Sequence, residues 1–257
     1  MDTLCKTVRQ DILHISQHSG HGHIPTCFSV IEMLRSVYAT MRHDCANPQC
    51  DERDIFILSK GHAALAHYCM LARSGYFPIE EVYGFGAFRS KFGCHADRNS
   101  VTGVEWSTGS LGHGSGVAAG IALTFKIKKS PRKVFVLIGD GETNEGSVWE
   151  SLMVAANLKL DNLYVLFDNN RSQSRCLPIT NAVEKFKAFD CETFEVNGHD
   201  VDEINAALTT PPNGRPKVIV ANTEKGFGCK TLVEEVFSWH RRSPSKDEME
   251  MLLGELP

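Results

Sequence analysis

The sequence predicts an α/β protein with a doubly wound, mostly parallel sheet and helices on both faces. Short apolar runs rich in β-branched residues, such as Val134 to Ile138 and Leu163 to Phe167, are too short for helices and indicate buried strands. Segments with helical periodicity separate these runs, and such alternation is typical of βαβ units. Because no internal repeat or interdomain linker is evident, we expect residues 1–257 to form one domain.

The individual elements follow from apolar spacing and from capping residues. Strands are predicted at Asp54 to Leu58, Val134 to Ile138, Leu163 to Phe167, Glu192 to Val196 and Lys217 to Ala221. Helices are predicted at Leu4 to His18, Thr26 (as the cap) to about Thr40, His62 to Ala72, a short stretch after Pro78, Val117 to Phe125, one broad side formed by Val148, Leu152, Val154, Ala155 and Leu158, Val201 to Leu208, and Lys246 to Leu253 after Ser245. Arg89 to Thr108 and Thr223 to Ser243 are predicted to be loops.

Oxygen-bearing side chains follow two of the predicted strands. Asp140 follows the second strand, and the run Asp168-Asn169-Asn170 follows the third. In an open parallel sheet, ligands bind beyond the carboxyl ends of the strands. A carboxylate and an amide oxygen suit Mg²⁺ or Ca²⁺, and phosphates and waters commonly complete the shell of Mg²⁺. Gly139 and Gly141 allow the backbone to approach a diphosphate closely, and the next helix offers free N–H groups.

The run Gly139-Asp140-Gly141-Glu142, with Asp168-Asn169-Asn170 further along the chain, resembles the thiamine-diphosphate motif. A lone Gly-Asp-Gly can be an ordinary tight turn. The intervening segments Asn144 to Glu150 and Leu158 to Leu163 are similar to those of transketolases. The resemblance extends from about Ser19 to Pro244. It implies the thiamine-diphosphate-binding fold and the transfer of a two-carbon ketol unit from a ketose donor to an aldehyde acceptor.

The resemblance also implies residues that hold thiamine diphosphate and its metal, which we expect to be Mg²⁺, with Ca²⁺ or Mn²⁺ as alternatives. Asp140 and Asn170 would bind the metal through their side chains and Ser172 through its backbone carbonyl. Asn169 is the alternative to Asn170. Cofactor contacts are implied for His62, Gly109, Ser110, Leu111, Gly139, Asp140, Gly141, Glu142, Asn170 and His240.

Histidines are candidates for proton transfer, because imidazole donates and accepts protons near neutral pH. Four histidines lie in loops that resemble transketolase motifs, namely His21, His62, His95 and His240. The resemblance implies catalytic roles for these four. It also implies one for Glu145, which resembles a glutamate of the carboxylate network that joins two active sites. The histidines without such a context are expected to be structural or at the surface: His14, His18, His43, His67 and His199.

Some positions depart from the usual pattern of the family. The departures are Gly22-His23 for Pro-Gly, His113 for Gln, Ser172 and Ser174 for apolar residues, and Arg175-Cys176 for Asp-Gly. A metal bond to the carbonyl of residue 172 survives such changes, whereas substrate choice and packing on the cofactor are affected. The Gly-rich turn from Thr108 to Gly116 is either an anion cradle or a place of close helix packing.

A complete transketolase is more than twice as long as this chain, and the resemblance covers only its diphosphate-binding domain. No stretch matches the pyrimidine-binding or C-terminal domain. We therefore expect these domains on a separately encoded partner chain. An α₂β₂ assembly, with active sites between unlike subunits and sugar phosphates as substrates, is the natural arrangement.

Bulk properties exclude some partners. The formal charge of −4 gives no reason to expect nucleic acid or an anionic membrane surface, and no apolar run is long enough to span a bilayer. The charged, periodic N-terminus does not resemble a signal peptide. The nine cysteines are scattered without a Cys-x-x-Cys pair, so we expect reduced thiols in a cytoplasmic protein.

Two other functions remain open at the level of sequence. One is a different thiamine-diphosphate reaction, as in the cofactor-binding subunit of a 2-oxo acid dehydrogenase or an acyl-transferring hybrid. The other is a non-enzymatic binding protein that keeps the fold. The histidine loops argue against the first function, and the intact Asp140, Glu145 and Asn170 argue against the second. Neither the donor sugar nor the acceptor sugar is specified.

Overall fold

The computed structural model describes residues 2–257 and contains a five-stranded parallel sheet. Its strands are β1 (Ile55–Leu58), β2 (Val134–Gly139), β3 (Leu163–Asn169), β4 (Glu192–Asn197) and β5 (Lys217–Asn222). The order across the sheet is β1-β2-β3-β5-β4, and every pairing is parallel. The predicted α/β class is confirmed, and each of the five predicted runs forms a strand.

Helices connect and flank these strands. They are α1 (Thr3–Ser19), α2 (Ile24–Phe28), α3 (Ile31–Thr40), α4 (Ala64–Arg73), α5 (Gly114–Ile127), α6 (Gly146–Asn157), α7 (Ala182–Ala188), α8 (Val201–Thr209), α9 (Lys230–Glu234) and α10 (Lys246–Gly254). Short 3₁₀ turns occupy Gly61–Ala63, Ile79–Gly84, Gly141–Asn144 and Ser238–His240. Within residues 2–257, no helix is both long and apolar enough to cross a membrane.

The core has two layers, because alternate strand residues point to opposite faces of the sheet. On one face, Tyr164 and Leu166 of β3 pack in the same cluster as residues of α1, α3, α4, α8 and α10. On the other face, Val165 and Phe167 pack with α5, α6 and α7. Both faces are therefore covered by helices, which explains why the central strands are apolar throughout rather than alternating. The predicted doubly wound arrangement is confirmed.

The predicted helix from Thr26 to Thr40 is wrong, because α2 and α3 are separate helices. Pro25 lies in the first turn of α2, where a missing N–H costs nothing, so the helix begins before Thr26. The Ser29 hydroxyl donates to the Thr26 carbonyl at 3.1 Å, and side-chain bonds of this kind compete with the helix ladder. Thr26 is consequently a residue of α2 and not the cap of a long helix.

The predicted apolar side of α6 was too broad. Val148, Leu152 and Ala155 are buried, whereas Val154 is 51% exposed and Leu158 is 41% exposed. Two further helices were missed where loops or no element were predicted. Helix α7 buries only Ala182 and Phe186, and α9 buries only Leu232, so neither shows a clear apolar period. The predicted cap of α10 is confirmed, because Ser245 and Glu248 form a capping box.

A buried ion pair joins α1 to α3. Arg9 donates to the two carboxylate oxygens of Glu32 at 2.7 and 3.0 Å, and His199 Nδ1 lies 3.3 Å from the same carboxylate. The side chains of Arg9 and Glu32 are 0% and 2% exposed. Removal of one partner would leave the other charge buried without compensation, which is far more costly than the loss of a surface pair.

We expect Glu32→Ala to lower the free energy of unfolding by about 3–5 kcal/mol, the usual cost of breaking a buried pair. Urea titration followed by circular dichroism measures this change. The matched control is Glu184→Ala, which breaks the exposed Lys187–Glu184 pair and should cost no more than about 0.5 kcal/mol. Equal losses in the two variants would show that the Arg9–Glu32 pair does not stabilise the packing of α1 on α3.

Candidate functional site

A cavity of about 220 Å³ lies beyond the carboxyl ends of β2 and β3. This position is the one expected for a ligand of a parallel sheet. Its lining is formed by His23, Thr26, Lys60, His62, Leu111, Gly139, Asp140, Gly141, Glu142, Asn170, Ser172, Gln173 and His240. Nine of these residues were predicted for the site from the sequence, and four were not: His23, Thr26, Lys60 and Gln173.

Asp140 is tied to the turn that follows β3. Its Oδ1 accepts from the Gly141 N–H at 2.8 Å and its Oδ2 from the Gln173 N–H at 2.9 Å. Within the turn, the Ser172 N–H donates to Asn170 Oδ1 at 3.0 Å. Arg171 lies between them with a φ of +55°, a left-handed conformation that few L-residues adopt. These contacts bring Asp140, Asn170 and Ser172 to one wall of the cavity.

The donors on this wall fit a hard divalent cation. They are a carboxylate, an amide oxygen and the Ser172 carbonyl, which accepts no hydrogen bond from any residue of the described chain. Asn169 does not line the cavity, and its amide donates to Asn222 Oδ1 at 2.7 Å. Residues 2–257 hold no cluster of three or more His, Cys, Asp or Glu side chains suited to a metal. The predicted ligand set contains only one residue of those types and stays a prediction.

Glu142 connects three segments of the cavity wall. Its carboxylate accepts from the Ser59 hydroxyl, from the Gly112 N–H at 2.8 Å and from the Gly139 N–H at 3.3 Å. The side chain is almost fully buried. Burial raises the pKa of Glu142, and these hydrogen bonds act in the opposite direction. Glu142 therefore holds the walls together as well as facing the ligand.

The Gly-rich turn before α5 packs closely against its neighbours. A Cβ on Gly112 would lie 2.6 Å from the Cβ of Glu145, and one on Gly114 would collide with Ser59. Leu111 lines the cavity, but Gly109 and Ser110 do not. Of the two alternatives for this turn, close packing is what these two glycines provide.

Three imidazoles face the cavity. The ring centroid of His23 lies 6.1 Å from that of His62 and 5.2 Å from that of His240. The His23 N–H donates to the His240 carbonyl at 3.2 Å, and His23 has a left-handed φ of +67°. Strained backbone of this kind is concentrated at functional sites.

His21 does not line this cavity. Its ring packs edge-on against Phe85, with centroids 5.8 Å apart, and its Nδ1 lies 3.6 Å from the Cys94 sulfur. The sequence His21-Gly22-His23 permits the motif to be read in two registers, because Gly-His occurs twice. The second register, which gives His23, is the one that reaches the cavity.

Two other predicted catalytic residues lie outside the cavity lining. His95 is near enough that its charge would lower the pKa of both His23 and His62. Glu145 is exposed at the start of α6 and makes no capping hydrogen bond there. Its carboxylate is thus available to a neighbouring molecule. His43, His67 and His199 make their contacts elsewhere in the fold.

Burial and positive neighbours keep the three imidazoles neutral. Burial, with Lys60 and His23, lowers the pKa of His62 to about 2. Burial, with His240 and His95, lowers the pKa of His23 to about 4. Burial and Lys225 also lower the pKa of His240. Neutral imidazole has both a donor and an acceptor nitrogen, so each ring can exchange a proton with a hydroxyl group.

Two further charged groups respond to the cavity. Burial raises the pKa of Asp140, and a bound divalent cation would favour the ionised carboxylate instead. Burial lowers the pKa of Lys225 to about 8. The Lys225 ammonium donates to Ser172 Oγ at 2.9 Å and lies 3.4 Å from His240 Nδ1. His240 Nδ1 is thereby occupied, and its Nε2 is left for a ligand.

The fold and the cavity together define a class of protein: a parallel α/β domain that binds a cofactor at the carboxyl ends of its strands. The sequence profile of the transketolase, thiamine diphosphate binding domain, matches residues 2–251. The chain therefore belongs to the transketolase family and is a thiamine diphosphate-binding domain. The recognition made from the Gly139–Glu142 and Asp168–Asn170 motifs is confirmed.

Relatives of two kinds match the chain. A subunit of the apulose-4-phosphate transketolase of Actinobacillus succinogenes is 38% identical, and the match covers 100% of this chain and 95% of the relative. The 6-deoxy-6-sulfo-D-fructose transketolase subunit SqwG of a Clostridium species is 36% identical, covering 82% of this chain and 79% of its own. Mouse transketolase is 36% identical over 93% of this chain, which spans only 39% of that protein. The chain thus corresponds to a cofactor-binding subunit of a split transketolase.

Solved structures agree with this assignment. Transketolase from Campylobacter jejuni superposes with a TM-score of 0.89 at 26% identity, covering 98% of this chain and 42% of that one. Transketolase from Leishmania mexicana gives a TM-score of 0.87 at 27% identity, covering 99% of this chain and 41% of that one. The predicted thiamine-diphosphate-binding fold is confirmed, and the chain spans less than half the length of these structures.

We expect the His23 ring of the metal-free chain to titrate near pH 4 rather than near its ordinary value of 6.5. Between these values the unfolded chain binds more protons at this residue than the folded chain does. The free energy of unfolding should therefore fall as the pH is lowered through this window. An NMR titration, assigned with His23→Gln, checks the ring, and the variant should show a shallower pH dependence of stability. A His23 transition near pH 6.5 would contradict its burial beside His240.

Proposed function

We propose that this chain works with a separately encoded partner to transfer a two-carbon ketol unit from a ketose phosphate to an aldehyde acceptor. The observation that carries the proposal is the meeting of Asp140, Asn170 and three neutral imidazoles in one cavity. Supporting it, two relatives that cover most of this chain are named as subunits of transketolases. The imidazoles favour a sugar donor, because they can hydrogen-bond several hydroxyl groups at once.

Asp140, Asn170 and the Ser172 carbonyl are the residues that would hold the metal of the cofactor. Mg²⁺ is our choice, because one carboxylate with neutral oxygens and phosphates is its usual protein environment. Ca²⁺ or Mn²⁺ are the alternatives. When bound, thiamine diphosphate supplies the electron sink needed for carbon–carbon bond cleavage. Gly139 and Gly141 would admit the diphosphate close to the backbone.

The side chains of this chain then orient the sugar and move its protons. His62 and His23 can accept a proton from one hydroxyl and return it to another, because both rings are neutral. His240 offers Nε2, since its Nδ1 faces Lys225. Leu111 contributes apolar surface to the cavity and helps to exclude water. His95, at the edge, and Glu145 would act once the partner completes the site.

The partner would carry the pyrimidine-binding domain and much of the sugar-phosphate recognition, in an α₂β₂ assembly. Helix α6 offers features that support such an interface. The exposed Glu145 lies at its start, and its outer face presents Met153, Val154 and Leu158, which are 54%, 51% and 41% exposed. Adjacent exposed apolar side chains often mark a protein–protein contact. The cytoplasmic location stays a prediction.

We expect Asp140→Ala to abolish the stabilisation that thiamine diphosphate gives in the presence of Mg²⁺. A ligand at about 100 times its dissociation constant adds about 2.7 kcal/mol, so the loss is readily seen in thermal unfolding. Without ligand, the variant should remain folded, because burial disfavours the Asp140 charge. The exposed Asp51→Ala is the matched control and should keep the full shift. An undiminished shift for Asp140→Ala would contradict the ligand assignment.

Activity of the two-subunit enzyme tests the reaction itself. The assembly should consume ketose phosphates in the presence of an aldehyde acceptor and should be inactive towards 2-oxo acids. The reverse preference would favour the cofactor-binding subunit of a 2-oxo acid dehydrogenase or an acyl-transferring hybrid. No thiamine diphosphate binding by the complete assembly with Mg²⁺ would overturn both enzymatic functions.

A further inference from the structure

We propose that Asp168 is a positioning residue that holds the Asn170 amide with its oxygen towards the metal site, with Lys60 neutralising the Asp168 charge. The inference rests on the proposed function, because it concerns how this chain holds the metal of its cofactor. Neither Asp168 nor Lys60 was predicted for the site from the sequence. Both lie beneath the cavity wall and are 0% and 1% exposed.

The Asp168 carboxylate has no oxygen position left for a metal. Its Oδ1 accepts from the Thr223 hydroxyl at 2.5 Å. Its Oδ2 accepts from Lys60 Nζ at 2.5 Å, from Ser29 Oγ at 2.8 Å and from Asn170 Nδ2 at 2.7 Å. A carboxylate has about four lone-pair sites, and four donors occupy them. Asp168 can therefore act on a metal only through Asn170.

The orientation of the Asn170 amide follows from this contact. A carboxylate accepts hydrogen bonds and cannot donate them, so the amide must turn its NH₂ group to Asp168. The Ser29 hydroxyl oxygen, 3.3 Å from Asn170 Nδ2, can accept a second N–H from the same group. Asn170 Oδ1 is then left on the opposite side, next to the Ser172 N–H and on the cavity wall with Asp140. A flipped amide would present N–H groups to a cation and repel it.

Lys60 makes this arrangement possible at low cost. An isolated carboxylate is expensive to bury, and Lys60 compensates its charge at 2.5 Å. The Lys60 ammonium also donates to Thr26 Oγ1 at 3.0 Å, so two of its three protons are used below the cavity. Although Lys60 lines the cavity, its charge is directed at Asp168. Of the two predicted side-chain ligands, Asp140 is then the only one that carries a charge to the metal.

The first test measures binding of Mn²⁺ with inorganic diphosphate to the full chain, using the EPR signal of free Mn²⁺. Asp168→Asn should raise the Mn²⁺ dissociation constant by about 10–100-fold, the usual cost of losing a partner that orients a metal ligand. The matched control is Thr223→Val, which removes a donor to the other carboxylate oxygen and leaves Asn170 untouched. Its dissociation constant should stay within about threefold of wild type, well short of that orienting effect. Thermal unfolding shows that both variants are folded.

A second test reverses the sign of the competing expectation. Asn170→Asp places a carboxylate among the ligands, and added negative charge alone would strengthen Mn²⁺ binding. Positioning by Asp168 predicts weaker binding, because two carboxylates would face each other without a proton between them. The double variant Asp168→Asn with Asn170→Asp restores an N–H···O contact in the opposite direction and should recover most of the affinity. This rescue keeps the test decisive even if Asp168→Asn alone fails to fold.

The outcomes are separable. Weak binding in the two single variants, normal binding in Thr223→Val and recovery in the double variant support the positioning of Asn170 by Asp168. If Asp168→Asn binds Mn²⁺ like Thr223→Val, or if Asn170→Asp binds more tightly than wild type, the positioning is wrong and the proposed function stands. If the wild-type chain does not bind Mn²⁺ with diphosphate, both the positioning and the metal assignment are overturned.

Discussion

The buried pair of Lys60 and Asp168 is the interaction on which the rest of the site depends. Lys60 follows β1 and Asp168 lies in β3, and with Thr26, Ser29 and Thr223 they join the ends of three strands to α2. The parallel sheet makes this meeting possible, because all its strands deliver their carboxyl ends to one edge. The charges cancel beneath the cavity, and Asn170 is left oriented above them.

Much of the fold could be predicted because its signals are local. The five apolar runs are continuous, and buried parallel strands require that pattern. Where prediction was wrong, a contact distant in sequence decided the outcome. Ser29 ends α2 while donating to Asp168, which is far away along the chain, and no periodicity reports that contact. Short helices such as α7 and α9 bury too few side chains to give a period.

The site divides in the same way. Asp140, Asn170, His62 and His240 occur in recognisable motifs, and all four reach the cavity. His23 was passed over in favour of His21, because the repeated Gly-His leaves the register undetermined and only the left-handed backbone at His23 settles which ring turns inward. The roles of Lys60 and Asp168 arise from a contact between distant segments, so no local motif could predict them. Glu145 is exposed in this chain, and its role depends on a partner surface.

The central claim is that Asp140, Asn170 and the Ser172 carbonyl hold the metal of thiamine diphosphate while Asp168 stands behind Asn170. Anomalous diffraction from crystals grown with Mn²⁺ and thiamine diphosphate tests it most directly. The account predicts one Mn²⁺ peak within coordination distance of these three residues, with Asn170 Oδ1 towards the metal and Asp168 not bound to it. A peak elsewhere, or a direct bond from Asp168 to Mn²⁺, would contradict the account.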